Sequence, residues 1–350
     1  MNLNKNLLYI CLFLLLPVVA FAGNKDRVGE AGASELLINP WARSSGMLGI
    51  NQASTRGLES MRLNVGGLAF NQGTEVIGAS TQWLRGSDVS LIGAGFSQAL
   101  GDAGVLGVTL MSVNFGEIDL TTVDNPDIGT GGTYRPAFTN IGVAFSRSFS
   151  ESIHGGVVIR VVNQSISDVS SSGVAFDAGI QYVTGADDNF KFGISIRNVG
   201  TAMRYKGDGL DFSSNNPINE TEVTTSQRAE KFEMPSLLHI GAAYDFYLGE
   251  THRLTAAGNF TSNSFSGDQI GGGLEYAFNE MFMLRAGYKY QQDRDSNDLV
   301  GSTALNGFGG GATLEVPLGK ESANTFGIDY SFRGTDIFDN IHSFGVRLSL

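Results

Sequence analysis

The chain has 350 residues with a formal net charge of −12, 42% hydrophobic and only 17% charged side chains, and 47 glycines against 7 prolines. Glycine is roughly twice as frequent as in an average globular protein, where it makes up about 7%. Apolar content near average with so few charges excludes a disordered chain, and the acidic balance excludes a general basic field for nucleic acid.

The first element decides the compartment. Lys5 precedes an apolar run from Leu7 to Leu16, then Pro17, and Ala20-Phe21-Ala22 supplies small residues for cleavage after Ala22. That is the layout of a secretory leader over residues 1–22, too short to span a bilayer as a mature helix. The single cysteine, Cys11, lies inside the leader, so the exported chain is expected to carry neither disulfide nor thiolate chemistry. No other segment approaches the ~20 apolar residues of a membrane helix. An exported chain of this kind is either soluble or crosses the outer membrane as a closed barrel.

After residue 75 the pattern has period two. Phe190, Phe192, Ile194 and Ile196 alternate with Lys191, Gly193, Ser195 and Arg197, and Phe344, Val346 and Leu348 alternate with Gly345, Arg347 and Ser349. Fourteen such segments are predicted, at 76–84, 89–100, 104–120, 134–149, 152–167, 172–185, 190–205, 235–248, 252–263, 268–279, 281–292, 305–318, 326–334 and 341–350. Most reach the ~9–11 residues of a tilted transmembrane strand, whereas strands of soluble sheets have about 5–6.

The links give an independent test. The three longest, 121–133, 206–234 and 293–304, all follow odd-numbered segments, and every link after an even-numbered one is short. Strict alternation of this kind belongs to outer-membrane barrels, which keep their short turns in the periplasm. The expected architecture is therefore all-β, a 14-stranded antiparallel transmembrane barrel over 76–350 with both barrel ends, and both termini, on the periplasmic side. A soluble β-sandwich of long strands is the alternative, disfavoured by strand length and loop parity. Leu63–Phe70 also alternates, but as a fifteenth strand it would start from the wrong side. It is placed with 23–75, an N-terminal periplasmic or lumen segment that plugs or lines the barrel.

Chemical motifs are weak. His154, His239, His252 and His342 lack metal-ligand spacing, no nucleophile elbow or phosphate-binding loop is present, and Gly307–Ala312 fits a dinucleotide fingerprint without a following helix. Asp293, Asp295 and Asp298 read as a solvated acidic loop and not as a calcium site. No catalytic residue, cofactor or metal is expected, and no enzymatic activity. Arg160, Arg197, Arg285, Lys289, Asp245, Glu275, Glu315, Asp329 and Arg333 fall on the polar phase of their strands and should point into a hydrated or cross-braced lumen.

Residues 31–49, with Ala31-Gly32-Ala33-Ser34, Leu36-Leu37-Ile38, Ala42-Arg43 and Gly46-Met47, resemble the N-terminal signature of the PorV/PorQ family. Ile196-Arg197-Asn198-Val199-Gly200 is similar to that family's strand ending near mid-chain, while Leu63-Asn64-Val65-Gly66-Gly67 stands where an Asn-Pro-Ala element is usual. The resemblance implies a FadL-like barrel of the bacterial outer membrane, in contact with its lipid, serving the type IX secretion system. It further implies translocon and attachment-complex proteins, and the C-terminal signal domains of secreted cargo, as partners. On that reading the loop 206–234 is the docking surface, through Leu210, Phe212, Ile218 and Phe232. The alternative is a FadL-like channel for hydrophobic small molecules. The polar inward positions Gly193, Ser195, Arg197, Arg285, Lys289 and Asp329 favour the first reading over the second.

Overall fold

The computed structural model describes residue 23 and residues 27–83, 86, 88–121, 124, 126–129, 131–215, 218, 221–291, 305–319, 324–336 and 339–350. The leader 1–22 and the loop 293–304, with Asp293, Asp295 and Asp298, lie outside them.

All fourteen predicted segments are strands of one closed barrel: β1 (Thr74–Gln82), β2 (Ser90–Ala99), β3 (Val105–Asn114), β4 (Ala137–Ser148), β5 (Ile153–Ile166), β6 (Val169–Thr184), β7 (Phe190–Gly200), β8 (Leu237–Tyr247), β9 (His252–Asn263), β10 (Gln269–Phe278), β11 (Phe282–Gln291), β12 (Leu305–Pro317), β13 (Thr325–Thr335) and β14 (Ile341–Ser349). Each pairs antiparallel with its chain neighbours, and β1 closes on β14 from Glu75 opposite Ser349 to Gln82 opposite His342. Closure leaves no unpaired edge in the hydrocarbon, where an unsatisfied backbone group is costly.

The alternation is what turns the sequence into a membrane wall. Ile194, Ile196, Leu284, Ile328 and Phe344 face outward and are exposed, while Ser195, Arg197, Arg285, Asp329 and Ser343 on the intervening positions are buried. In hydrocarbon that outer face is satisfied by lipid. The inward set contains each of the nine charged strand residues predicted to point there.

Two predicted strands end early for local reasons. β3 stops at Asn114, whose side chain accepts the Gly116 N–H at 2.9 Å where Gly116 turns at φ 78°. Beyond it, Ile118–Asp119 and Thr133–Tyr134 form a separate two-residue hairpin. β7 ends at Gly200, two residues past a bulge in which Asn198, at φ 59°, and Arg197 together oppose Asp177. Asp177 fixes that bulge by accepting the Asn198 N–H at 2.6 Å and an Arg160 hydrogen bond at 2.9 Å.

Residues 34–70 run through the barrel as short 3-10 and helical turns: Ser34–Leu37, Ala42–Ser45, Ile50–Ala53, Leu58–Arg62 and Val65–Phe70. Leu36, Ile50, Leu58 and Leu68 are fully buried. Asn64 organises the last turn. Its Oδ1 accepts the Gly66 N–H at 3.1 Å, and its Nδ2 donates to Gln52 Oε1 at 3.0 Å and to the wall carbonyl of Ile180 at 2.9 Å. Gly66 and Gly67 pass against wall and turn so closely that the alternation of Leu63–Phe70 serves a coiled path and not a strand.

Much of the glycine excess makes room for this segment. A Cβ at Gly107 would lie 2.7 Å from the Met61 sulfur, and one at Gly179 2.2 Å from Asn64 Oδ1. At outward-facing Gly272 a Cβ would meet nothing within 4 Å.

One expectation is corrected. The barrel's own ends meet on the short-link side, where Thr74 and Leu350 exchange backbone hydrogen bonds of 2.9 and 2.8 Å. The described N-terminal residues, however, begin on the long-link side: Ala31 bridges Glu233, and Gly23 lies against Ser266 and Asp268. The segment descends from there, past Val162 at Leu36, to Phe70 beside His154 near the short links. Entering from the outer end lets the chain fill the lumen before it starts β1 at the periplasmic end.

Candidate functional site

The N-terminal segment divides the lumen into two chambers. The inner one, on the short-link side, has a volume of about 700 Å³ and is bordered by Arg43, Arg56, Glu59, Glu75, Lys191, Asp245, Arg253, Glu275, Glu315 and Arg347. Most of its charges are paired, while Arg56 lies 4.3 Å from the centre of the Phe70 ring. Arg347 bonds to Glu59 on the segment, approaches Glu75 at 3.4 Å and Asp329 at 3.3 Å. Arg253 meets Glu275 at 3.0 Å and Glu280 at 2.7 Å, Lys191 pairs with Asp245, and Arg285 pairs with Glu275. Arg43 on the segment reaches Glu315 at 3.2 Å. Glu59–Arg347 and Arg43–Glu315 thereby clasp the segment to the wall.

The outer chamber, on the long-link side, has a volume of about 500 Å³ and a different lining. Leu37, Ile38, Leu48 and Leu63 come from the segment, and Trp83, Leu237, Phe265 and Leu305 from strand ends and links. Arg197, His239, Lys289 and Arg333 project among them, and among the described residues no carboxylate lines the chamber. Arg197 Nη1 lies 3.5 Å from His239 Nε2, and His239 Nδ1 is bonded to the Thr261 hydroxyl at 2.9 Å. Lys289 lies within electrostatic reach of both Arg197 and His239, and has no carboxylate partner among the described residues. Arg333 sits 5.0 Å from the Trp83 ring and donates to Ser343 at 3.2 Å.

Below these side chains is a buried polar knot on the segment. Glu35 accepts two 3.0 Å bonds from Gln164, and Arg62 donates to the carbonyls of Glu35 and Ile38 at 2.7 and 2.9 Å. Burial raises the Glu35 carboxyl above its ordinary range, partly offset by its hydrogen bonds. Burial, reinforced by Arg160 and Arg197, depresses the Arg62 guanidinium.

The four residues expected to dock partners are not brought together. Phe212 and Ile218 are exposed, at 51% and 92%, on a hairpin of Asp211–Asn215 with Glu222–Ser226 that follows half-buried Leu210. Phe232 turns inward: it packs on Ala33, Leu36, Met203 and Met234, with its ring over Gly32. The apolar lining of the outer chamber escaped sequence reasoning because half of it comes from the segment. Gly193 and Ser195, weighed as polar lining, are instead covered by it: Gln52 donates to the Gly193 carbonyl at 2.8 Å, and Ser195 donates to the Leu63 carbonyl at 2.8 Å.

No family model matches the chain, and no curated protein matches it in sequence. Among solved structures it aligns with the Pseudomonas putida toluene transporter TodX at a TM-score of 0.54 and 13% identity, over 89% of this chain and 97% of that one. The fold is that of the FadL-like channels. The FadL-like course is shared with the Ralstonia pickettii toluene transporter TbuX, at 0.51 and 11% over 88% and 96%, and with the CymD monoaromatic hydrocarbon channel, at 0.51 and 12% over 89% and 97%. A FadL-like barrel with a lipid-facing apolar wall places the protein in the bacterial outer membrane. No comparison singles out the PorV/PorQ group.

Proposed function

We propose that the protein is an outer-membrane channel that admits a hydrophobic small molecule bearing an acidic head group, and that it acts by binding and passage without catalysis. The observation that carries this reading is the outer chamber: apolar walls around Arg197, His239 and Lys289, with no lining carboxylate among the described residues. A buried cation with no carboxylate beside it, as Lys289 is among the described residues, is costly, and an apolar anion relieves that cost while burying its own hydrocarbon. The toluene and monoaromatic-hydrocarbon channels of the same fold support an apolar solute. The cations add the preference for an acid. Below the chamber, Leu58, Met61 and Leu68 fill the lumen, so passage requires the N-terminal segment to shift.

Fluorescence titration of the purified protein with 11-(dansylamino)undecanoic acid and with its methyl ester tests the reading. The acid is expected to bind at least about ten-fold more tightly, a difference of roughly 1.4 kcal/mol. Equal binding of both would remove the role of the cations, and binding of neither would remove the channel reading.

A second reading, a type IX secretion component, is favoured by the hairpin 211–226. Its two strands form a sheet of their own with Phe212 and Ile218 exposed, as in a protein-docking loop. Deleting 211–226 and measuring secreted cargo at the cell surface separates the two. Loss of surface cargo from a folded barrel supports docking, and unchanged export leaves the channel alone.

A further inference from the structure

The outer chamber has a cover, and the cover is fastened to a loop. Residues 27–33 cross its mouth, with Gly29, Ala31 and Gly32 facing the cavity. The Arg27 guanidinium lies 4.2 Å from the centre of the Phe265 ring, on the link between β9 and β10. The crossing chain also joins the base of the long connection between β7 and β8. Ala31 pairs with Glu233, the Gly32 N–H donates to the Glu233 carbonyl at 3.0 Å, and Arg27 reaches the Glu233 carboxylate at 3.0 Å. Phe232 closes the joint, because a Cβ on Gly32 would lie 2.2 Å from its ring. Phe232 is itself tied to Met203, across the base of the same connection, by paired backbone bonds of 2.9 and 3.0 Å.

We infer that residues 27–33 form a strap that closes the outer chamber, and that the base of the 201–236 connection is its catch, so that displacing this connection opens the chamber. Three features make the strap releasable. The Arg27–Glu233 pair is solvent-exposed and screened, so it adds little hold. The backbone joint is confined to one bridge instead of a ladder. Ala33, where the strap meets the buried segment, sits at φ 51°, a left-handed conformation disfavoured for alanine. The hairpin 211–226 belongs to the same connection. Force or binding applied there is transmitted through Met203 and Phe232 to the strap, and the inference holds whichever solute fills the chamber.

The test reads access to the chamber without any ligand. Leu63 lines the chamber and is 5% exposed, so the thiol introduced by Leu63→Cys, in a chain carrying Cys11→Ser, reports entry of sodium (2-sulfonatoethyl) methanethiosulfonate. Gly32→Val lifts the strap from its own side and Phe232→Ala loosens the catch from the loop side. Heat-modifiable migration on gels confirms that each barrel is folded. Each variant is expected to speed labelling by roughly ten-fold or more, and the double variant no further than either alone, because both release one element. Labelling within about two-fold of the parent in the variants that fold, or fully additive increases, would overturn the inference. Phe232→Ala only removes atoms, so it decides the matter if Gly32→Val does not fold. A chain that labels as expected yet binds no dansyl acid would leave the strap standing and end the channel reading instead.

Discussion

In the inner chamber Arg347 stands among Glu59, Glu75 and Asp329, and Arg253 among Glu275, Glu280 and Asp245, whereas in the outer chamber Arg197, His239 and Lys289 face apolar walls with no carboxylate among the described lining residues. Both sets project from the inward phase of strands of one barrel, so neither burial nor position along a strand distinguishes them. What differs is the partner. Matched charges hold two pieces of protein together, and here they hold the N-terminal segment to the wall at its periplasmic end. A buried charge with no carboxylate beside it, as at Lys289, is costly to desolvate, and it is on this difference that the proposed site in the outer chamber rests.

This contrast is broken most forcefully by the same kind of substitution made in both places. Arg347→Ala leaves Glu59, Glu75 and Asp329 as uncompensated buried carboxylates. It is expected to destabilise the segment by ~3–5 kcal/mol, read as a lower urea midpoint and a rise in ion leak through planar bilayers. Lys289→Met, in the outer chamber, removes an unpaired charge and is expected to leave the urea midpoint unchanged or raise it, while weakening dansyl-acid binding by roughly ten- to a hundred-fold. If both substitutions destabilise alike, the distinction between bracing and binding charges falls.

A smaller effect sharpens the boundary between the chambers. Burial raises the Glu35 carboxyl above its ordinary 4.5, so the folded segment binds the proton more tightly than the unfolded one. Its stabilising contribution is therefore complete below that value and is lost as pH rises through the raised one. Hydrogen-exchange protection of Leu36 to Ile38 should fall as pH climbs from 4.5, and Glu35→Gln, which keeps a neutral partner for Gln164, should flatten that dependence. A protection profile that is the same in both proteins would mean that Glu35 is compensated by Arg62 at every pH.

The barrel was legible because period-two alternation, strand length and link parity are three consequences of one geometry, and they agreed. Strand ends were less so. That Asn198 would take a left-handed bulge held by Asp177 depends on a partner 21 residues away in sequence. The inward charges were legible as inward but not as paired or unpaired: Arg285 meets Glu275 across adjacent strands, while Lys289, four residues on and on the same face, finds no carboxylate among the described residues. The chamber was hidden for a related reason. Its apolar half comes from Leu37, Ile38, Leu48 and Leu63, in a segment whose own periodicity fits no regular element and which is positioned by tertiary contacts, among them Met47 and Ile50 against Gly271, Gly273 and Gly287. Phe232, read as an outward docking residue, was indistinguishable in sequence from Phe212. The fact that Gly32 lies beneath its ring is purely tertiary.

The most direct measurement is the anomalous diffraction of crystals grown with 11-bromoundecanoic acid. The expected result is a bromine peak against the apolar wall of the outer chamber, near Leu48 and Leu63, with the carboxylate within hydrogen-bonding distance of Lys289 or Arg197. Bromine only on the lipid-facing surface, or in the inner chamber among the ion pairs, would contradict the assignment of the outer chamber as the site.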